Sequence, residues 1–330
     1  MNNPETSKPG TAAHTFEELV TAGERADAGS SISKQRLIGS GIVVILLLGV
    51  FGKSLFDLAV HVANAELHSH VLLVPFISAY LLHIRWHELP KRFSSSPFLA
   101  AIAFALGAAA WWMARTAAFR PPAVSQNDHL ALLALAFVCC VVAAGFALLG
   151  GPWMRAAAFP VFFLLFVVPL PDGVVNALET ASKLASAEAT MVLFTITGLP
   201  FLRDGLVFQL PGITIEVAQE CSGIRSSWVL VITSLLAANL FLRTTWRRTV
   251  LVLFIIPLGV IRNGFRIWTI ALLCVEIGPE MIHSILHRRG GPVFFALSLI
   301  PLFGLLWWLR ASEAKKERRD VGAIPATATI

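Results

Sequence analysis

Charge is the first thing this 330-residue chain lacks. Only 14 % of its residues are Asp, Glu, Lys or Arg, against about 25 % in an ordinary soluble domain. With 56 % hydrophobic residues, that deficit excludes a water-soluble globule and points to a lipid environment. Cysteine is scarce as well: there are four, and Cys139 and Cys140 are adjacent inside the apolar run Ala131–Leu149. A disulfide framework is therefore not expected. Basic stripes interleaved with aromatics are absent, and the net charge of +6 gathers at segment ends. It reads as topology information and not as a nucleic-acid footprint. A cleavable secretory start is missing too, since the first apolar run begins only at Leu37, without the short basic and then apolar opening such signals have. Leu37–Gly52 is read as a retained span. Residues 1–36 and 311–330 read as disordered cytoplasmic tails flanking an integral membrane domain over 37–310.

What is present is a series of uncharged stretches close to the ~20 residues that cross a ~30 Å hydrocarbon core. Hydropathy places helices near 37–56, 71–86, 97–114, 129–149, 156–170, 225–242, 248–265 and 292–310. Short basic loops mark the cytoplasmic side: Arg85 to Arg92, Arg155, Arg243 to Arg248, and the tail with Lys315, Lys316, Arg318 and Arg319. Alternate crossings put the N-terminus inside and Pro171–Glu220 outside. Ile267 to about Leu286, with an apolar core of about ten residues, is too short for a ninth crossing. It is expected to be a re-entrant or interfacial segment. Val174–Ile196, with Glu179, Lys183 and Glu188 at helical spacing, suggests an amphipathic helix. Leu206–Leu210 and Ile213–Val217, joined by Pro211-Gly212, read as a β-hairpin. The expected fold is thus an all-α polytopic membrane protein, with about eight transmembrane helices, the re-entrant segment, and a small extracytoplasmic hairpin and amphipathic helix.

The chemistry concentrates in Glu220-Cys221-Ser222-Gly223-Ile224-Arg225-Ser226-Ser227. Cys221 is the one thiol with polar neighbours. A helix N-terminus and a nearby cation, Arg225, both lower a thiol pKa. Gly223 lets the backbone turn and another chain approach. The competing reading is an ordinary buried cysteine ahead of a helix. Arg262 and Arg266 flank Asn263-Gly264-Phe265 and share a helix face; they either snorkel to the interface or hold an anion between them. His287, before Arg288-Arg289-Gly290-Gly291-Pro292, can exchange protons near neutrality or be a plain surface histidine. His61, His68 and His70 lie near the outer end of the first two spans, but no carboxylate or cysteine cluster completes a recognisable metal site. Neither a metal nor a cofactor is expected.

In this order, three motifs resemble the exosortase/archaeosortase family of membrane transpeptidases: Glu220 to Ser227; Pro257 leading to Asn263-Gly264-Phe265-Arg266-Ile267; and His287 with Gly291 and Phe295. Pro169-Leu170-Pro171, the Gly205/Pro211-Gly212 hairpin, and His70 followed by Leu73-Val74-Pro75 and Tyr80-Leu81-Leu82 are also similar to the family. The resemblance implies that Cys221 is the nucleophile, Arg266 the catalytic arginine and His287 its histidine partner. Arg262, where the family usually has an apolar residue, remains a second candidate for the arginine. Glu220, Ser222, Gly223, Arg225 and Asn263 would play supporting or substrate-binding parts. The implied partners are exported proteins ending in a short Pro-Glu-Pro-type motif, a membrane helix and a basic cluster, together with an envelope acceptor molecule and the lipid bilayer. The implied place is the bacterial or archaeal inner membrane, with the site on the extracytoplasmic side. From the residues alone, a thiol-dependent acyltransferase, an anion transporter lined by Arg262, Arg266 and Glu220, and a non-enzymatic scaffold stay open.

Overall fold

The computed structural model describes residues 11–64, 69–90, 93–217, 224–283 and 290–322. The chain divides into two compact units, Met1–Pro171 and Asp172–Ile330.

The first unit contains α1 (Thr11–Asn64), α2 (Val74–Ile84), α3 (Pro97–Arg115), α4 (Gln126–Leu148), and the short α5 (Gly151–Ala156) and α6 (Ala158–Phe163). Proline stands in the first turn of α2, α3 and α5, where its missing N–H costs nothing. The Ser125 side chain caps α4 by accepting from the Asp128 N–H. One face of α3 is Ala100, Ala103, Gly107, Ala110 and Ala114, all buried. Small residues at that spacing bring two backbones together, and α3 packs along α4. Phe98, Phe104, Leu106 and Trp112 point outward and are exposed, as a lipid-facing surface requires. Two hydrogen bonds tie connections in this unit: the Gly151 N–H donates to Ser96 Oγ (2.9 Å), and Asn127 Nδ2 donates to the Leu170 carbonyl (2.8 Å).

The second unit contains α7 (Asp172–Thr197), a three-stranded antiparallel sheet, β1 (Leu202–Asp204), β2 (Val207–Leu210) and β3 (Ile213–Glu216) in that order, and then α8 (Ile224–Phe241), α9 (Thr245–Leu253), α10 (Ile255–Glu276) and α11 (Gly291–Gly322). Leu210 faces Ile213 across a two-residue turn, Pro211-Gly212. Gly212 has φ +81°, the left-handed conformation that follows proline in a type II turn. The sheet's buried face, Phe208, Leu210 and Ile215, joins Phe194 of α7 and Ile267 and Ala271 of α10 in one core. Phe194, Phe201 and Phe208 meet ring to ring at 5.3–5.9 Å. A second core is built from Leu230 of α8, Leu242 just after it, Leu251 of α9, Leu258 of α10 and Leu302 and Leu306 of α11. The break between α9 and α10 falls just ahead of Pro257, which has no N–H to give to the Leu253 carbonyl. The last helix is fixed to the turn between α8 and α9 by Glu313, whose carboxylate accepts from the backbone N–H groups of Arg243 (3.1 Å) and Thr244 (2.7 Å) and lies 3.7 Å from Arg247.

Among the described residues, five helices are long and apolar enough to cross a membrane: Gln35–Asn64, Pro97–Arg115, Gln126–Leu148, Thr245–Glu276 and Gly291–Lys316. A sixth is reached if Ala158–Val167 and Asp172–Thr197 count together as one broken span. The eight expected spans are therefore not all matched. His70–Ile84 and Ser226–Phe241 are apolar but shorter, and 156–170 is broken into α6 and a 3₁₀ turn, Leu164–Val167. The expected re-entrant segment from Ile267 is corrected over its first part: α10 runs on through Arg266 and Ile267 to Glu276, and only Pro279–His283 forms a separate 3₁₀ turn. Hairpin packing explains the continuation, since Ile267 and Ala271 are buried under it. The hairpin and the helix over 174–196 were legible, but β1 was not expected. Helix also extends into both tails, from Thr11 at the front and to Gly322 at the back.

Candidate active site

Three elements of the second unit meet around one polar patch. Helix α10 supplies Gly259, Arg262, Asn263 and Gly264, α8 supplies Ser227, and α7 supplies Ser186, Ala189 and Thr190. All the α10 residues among them are buried; Arg262 is 7 % and Asn263 1 % exposed.

Arg262 Nη2 donates to Ser227 Oγ at 3.1 Å. Ser227 sits in the first turn of α8. The helices approach so closely there that a Cβ at Gly259 would lie 3.0 Å from Ser227 Oγ. On its other side α10 meets α7. Asn263 Nδ2 donates to Ser186 Oγ at 2.9 Å, and the Thr190 hydroxyl bonds the Ser186 carbonyl at 2.7 Å. A Cβ at Gly264 would meet the Ala189 Cβ at 2.7 Å, inside contact distance, so glycine sets how near the helices pack. Polar groups buried this deeply need partners, and the pairing fixes the register of α10 between its neighbours.

One turn further along α10, Arg266 is half-buried. Its neighbour Phe265 stacks against Trp268 (5.3 Å) and meets Phe294 of α11 edge-on (6.2 Å). Trp268 Nε1 donates to Thr197 Oγ1 on α7 at 3.2 Å. The part of α10 that carries Arg266 is thus bounded by α7 and by the beginning of α11.

Glu220, Cys221, Ser222, Gly223 and His287 lie outside the described residues, as does the side chain of Arg225. In the chain, Cys221 stands three positions before α8 and His287 four before α11. The structure brings together Arg262, Asn263 and Ser227 of the quoted motifs. Cys139 and Cys140 are half-buried in α4 and Cys274 is buried in α10, all three as free thiols. No group of three His, Cys, Asp or Glu among the described residues could hold a metal ion.

Sequence reasoning missed Ser186, Thr190 and Gly259. Ser186 and Thr190 do carry a signal, two hydroxyls four residues apart on one helix face. Gly259 carries none, because its function is to be close to a residue 32 positions away.

The family model described as transmembrane exosortase matches residues 62–304, which take in all three motifs. The chain belongs to the transmembrane exosortase family. Membership and the apolar helices make it a multi-pass membrane protein and place it among membrane transpeptidases. Neither a curated protein nor a solved structure matches it.

Proposed function

We propose that this protein is a membrane cysteine transpeptidase that cleaves the C-terminal sorting signal of exported proteins and passes the remaining chain to an envelope acceptor. The observation that carries the reading is the family match across Cys221, Arg266 and His287. The packing supports it: α10, which bears Arg266, is bonded through Arg262 to α8, the element after Cys221, and touches through Phe265 the start of α11, the element after His287.

In this reading the Cys221 thiolate attacks the scissile carbonyl, forming a C–S bond and an oxyanion. The Arg266 guanidinium donates to that oxyanion, an effect of about 3 kcal/mol per donor. The C–N bond then breaks and the leaving amine takes a proton from His287. An incoming nucleophile gives its proton to His287 and displaces the thiolate, which restores the enzyme. Arg225 favours the thiolate, and Glu220, Ser222 and Gly223 play supporting or substrate-binding parts.

The chain would make eight passes, through α1, α2, α3, α4, the α5–α6 segment, α8, α9–α10 and α11, with both tails inside. At 32 residues, or ~48 Å, Thr245–Glu276 is longer than the hydrocarbon core. Its outer third would carry the hairpin above the membrane. Exposed Trp112 near one end of α3 and Trp307 and Trp308 near the basic end of α11 fit interfacial belts. The active site would face the extracytoplasmic side.

The test is conversion of a substrate ending in a short motif, a membrane helix and a basic cluster. Cys221→Ser should insert normally and lose conversion, with no thioester trapped by mass spectrometry. Arg266→Lys should lose at least 100-fold, because a point cation does not reproduce the guanidinium fork. Unchanged processing by Cys221→Ser would reject the nucleophile. A trapped lipid or small acyl group would replace transpeptidation by acyl transfer.

A further inference from the structure

The geometry points to Arg262 as a positioning residue: its bond to Ser227 is a strut that holds the first turn of α8, which follows Cys221 in the chain, against α10. The inference rests on the proposed reading of Cys221 and separates the two arginines that sequence reasoning left as rivals for one role.

Four observations carry it. Arg262 is buried and donates to Ser227 Oγ at 3.1 Å, so its guanidinium is engaged sideways with a neighbouring helix. Ser227 is in the first turn of α8, six positions after Cys221, so fixing Ser227 fixes the start of the helix that follows the cysteine. Gly259, one turn before Arg262, is what permits the approach, since a methyl group there would press on Ser227 Oγ at 3.0 Å. The next residue, Asn263, ties α10 to Ser186 of α7. One turn of α10 therefore clamps helices on both sides, and Arg266 lies a turn later and is less buried. Lengthening the contact at Ser227 would shift the start of α8 relative to Arg266, and misplacing reacting atoms by about 1 Å costs on the order of 100-fold in rate.

The experiment uses the full-length protein in detergent or vesicles, with Cys139, Cys140 and Cys274 changed to alanine so that Cys221 is the one thiol. Iodoacetamide alkylation of Cys221 is followed by mass spectrometry in parent, Ser227→Ala, Arg262→Met and the double variant. A strut predicts that each single variant changes the alkylation rate by at least threefold in the same direction, and that the double variant is no further from the parent than the stronger single. Gly259→Ala should change the rate in the parent and have little added effect once Ser227 is alanine, because the crowded oxygen is gone. On turnover, Ser227→Ala should lower kcat about tenfold with KM unchanged. Arg262→Lys, which keeps a donor, should recover most of what Arg262→Met loses, whereas Arg266→Lys should not recover activity. Multiplying effects in the double variant, an unchanged alkylation rate in Ser227→Ala, or failure of Arg262→Lys to rescue would each overturn the strut. Ser227→Ala removes one oxygen from a half-buried site, so it keeps the test readable if Arg262→Met does not fold. Alkylation needs no substrate, so the strut stands or falls apart from the nucleophile assignment, which Cys221→Ser decides.

Discussion

Two helix pairs in this protein are each brought together by a glycine, and they are built for different ends. Gly107 of α3 faces Ala136, Cys139 and Cys140 of α4, and the rest of that seam is alanine. Gly264 of α10 faces Ala189 and Thr190 of α7, and beside it lie Ser186, Thr190 and Asn263, all buried. The first seam is dry and gains only from close packing, so a small slide along it costs little. The second is polar, and a slide would break the Asn263–Ser186 bond. Small residues set the distance between helices; buried hydrogen bonds set the register. The register is fixed in the unit that carries the proposed chemistry.

The largest effect should come from Gly264→Ala. The added methyl would sit 2.7 Å from the Ala189 Cβ and 3.2 Å from the Thr190 backbone nitrogen, neither of which can swing aside. Overpacking of this kind costs roughly 3 kcal/mol; thermal unfolding in detergent should show a large drop and substrate conversion should be lost. Asn263→Ala comes next, at about 1–3 kcal/mol for a buried hydroxyl deprived of its partner. Its conversion should fall by more than its melting temperature suggests, because register is lost before the fold. Gly107→Ala should cost about 1 kcal/mol, since its nearest neighbours at 3.1–3.2 Å include the Cys140 sulfur, which can turn away. It should leave conversion intact in the protein that remains folded. If Gly107→Ala silences the enzyme as Gly264→Ala does, the contrast between the seams is wrong. The smallest effect is expected from Glu188→Gln. Its carboxylate pairs with Arg203 of β1 at 2.7 Å, but Glu188 is mostly exposed, and solvent screening leaves pairs of that sort little effect on stability.

Local signals were legible in the sequence and long-range ones were not. The hairpin announced itself through two β-rich runs around Pro211-Gly212. The helix of 174–196 did so through the spacing of its charges, and the basic turn at Arg243–Arg248 through composition. Strand β1 was hidden because it is three residues long and contains Arg203 and Asp204. The end of the helix carrying Arg262 was misjudged because two arginines and a glycine look like a place for a span to stop. In the fold, Arg262 reaches Ser227 and Gly264 nests against α7, so both fit inside a continuing helix. The partner of Asn263 is 77 positions away, beyond the reach of any spacing argument. Of the candidate site, residue types and order were readable, while the contacts of Arg262 with Ser227 and of Asn263 with Ser186 needed the packing.

The Glu313 clamp has a consequence for biosynthesis. The backbone groups it holds, those of Arg243 and Thr244, leave the ribosome some seventy residues before it does. The elbow between α8 and α9 thus stays unlatched while α9 and α10 are being threaded into the bilayer, and it closes only when the final helix arrives. A ribosome stalled anywhere short of that glutamate leaves a nascent chain whose helices are already inserted but whose elbow is still open.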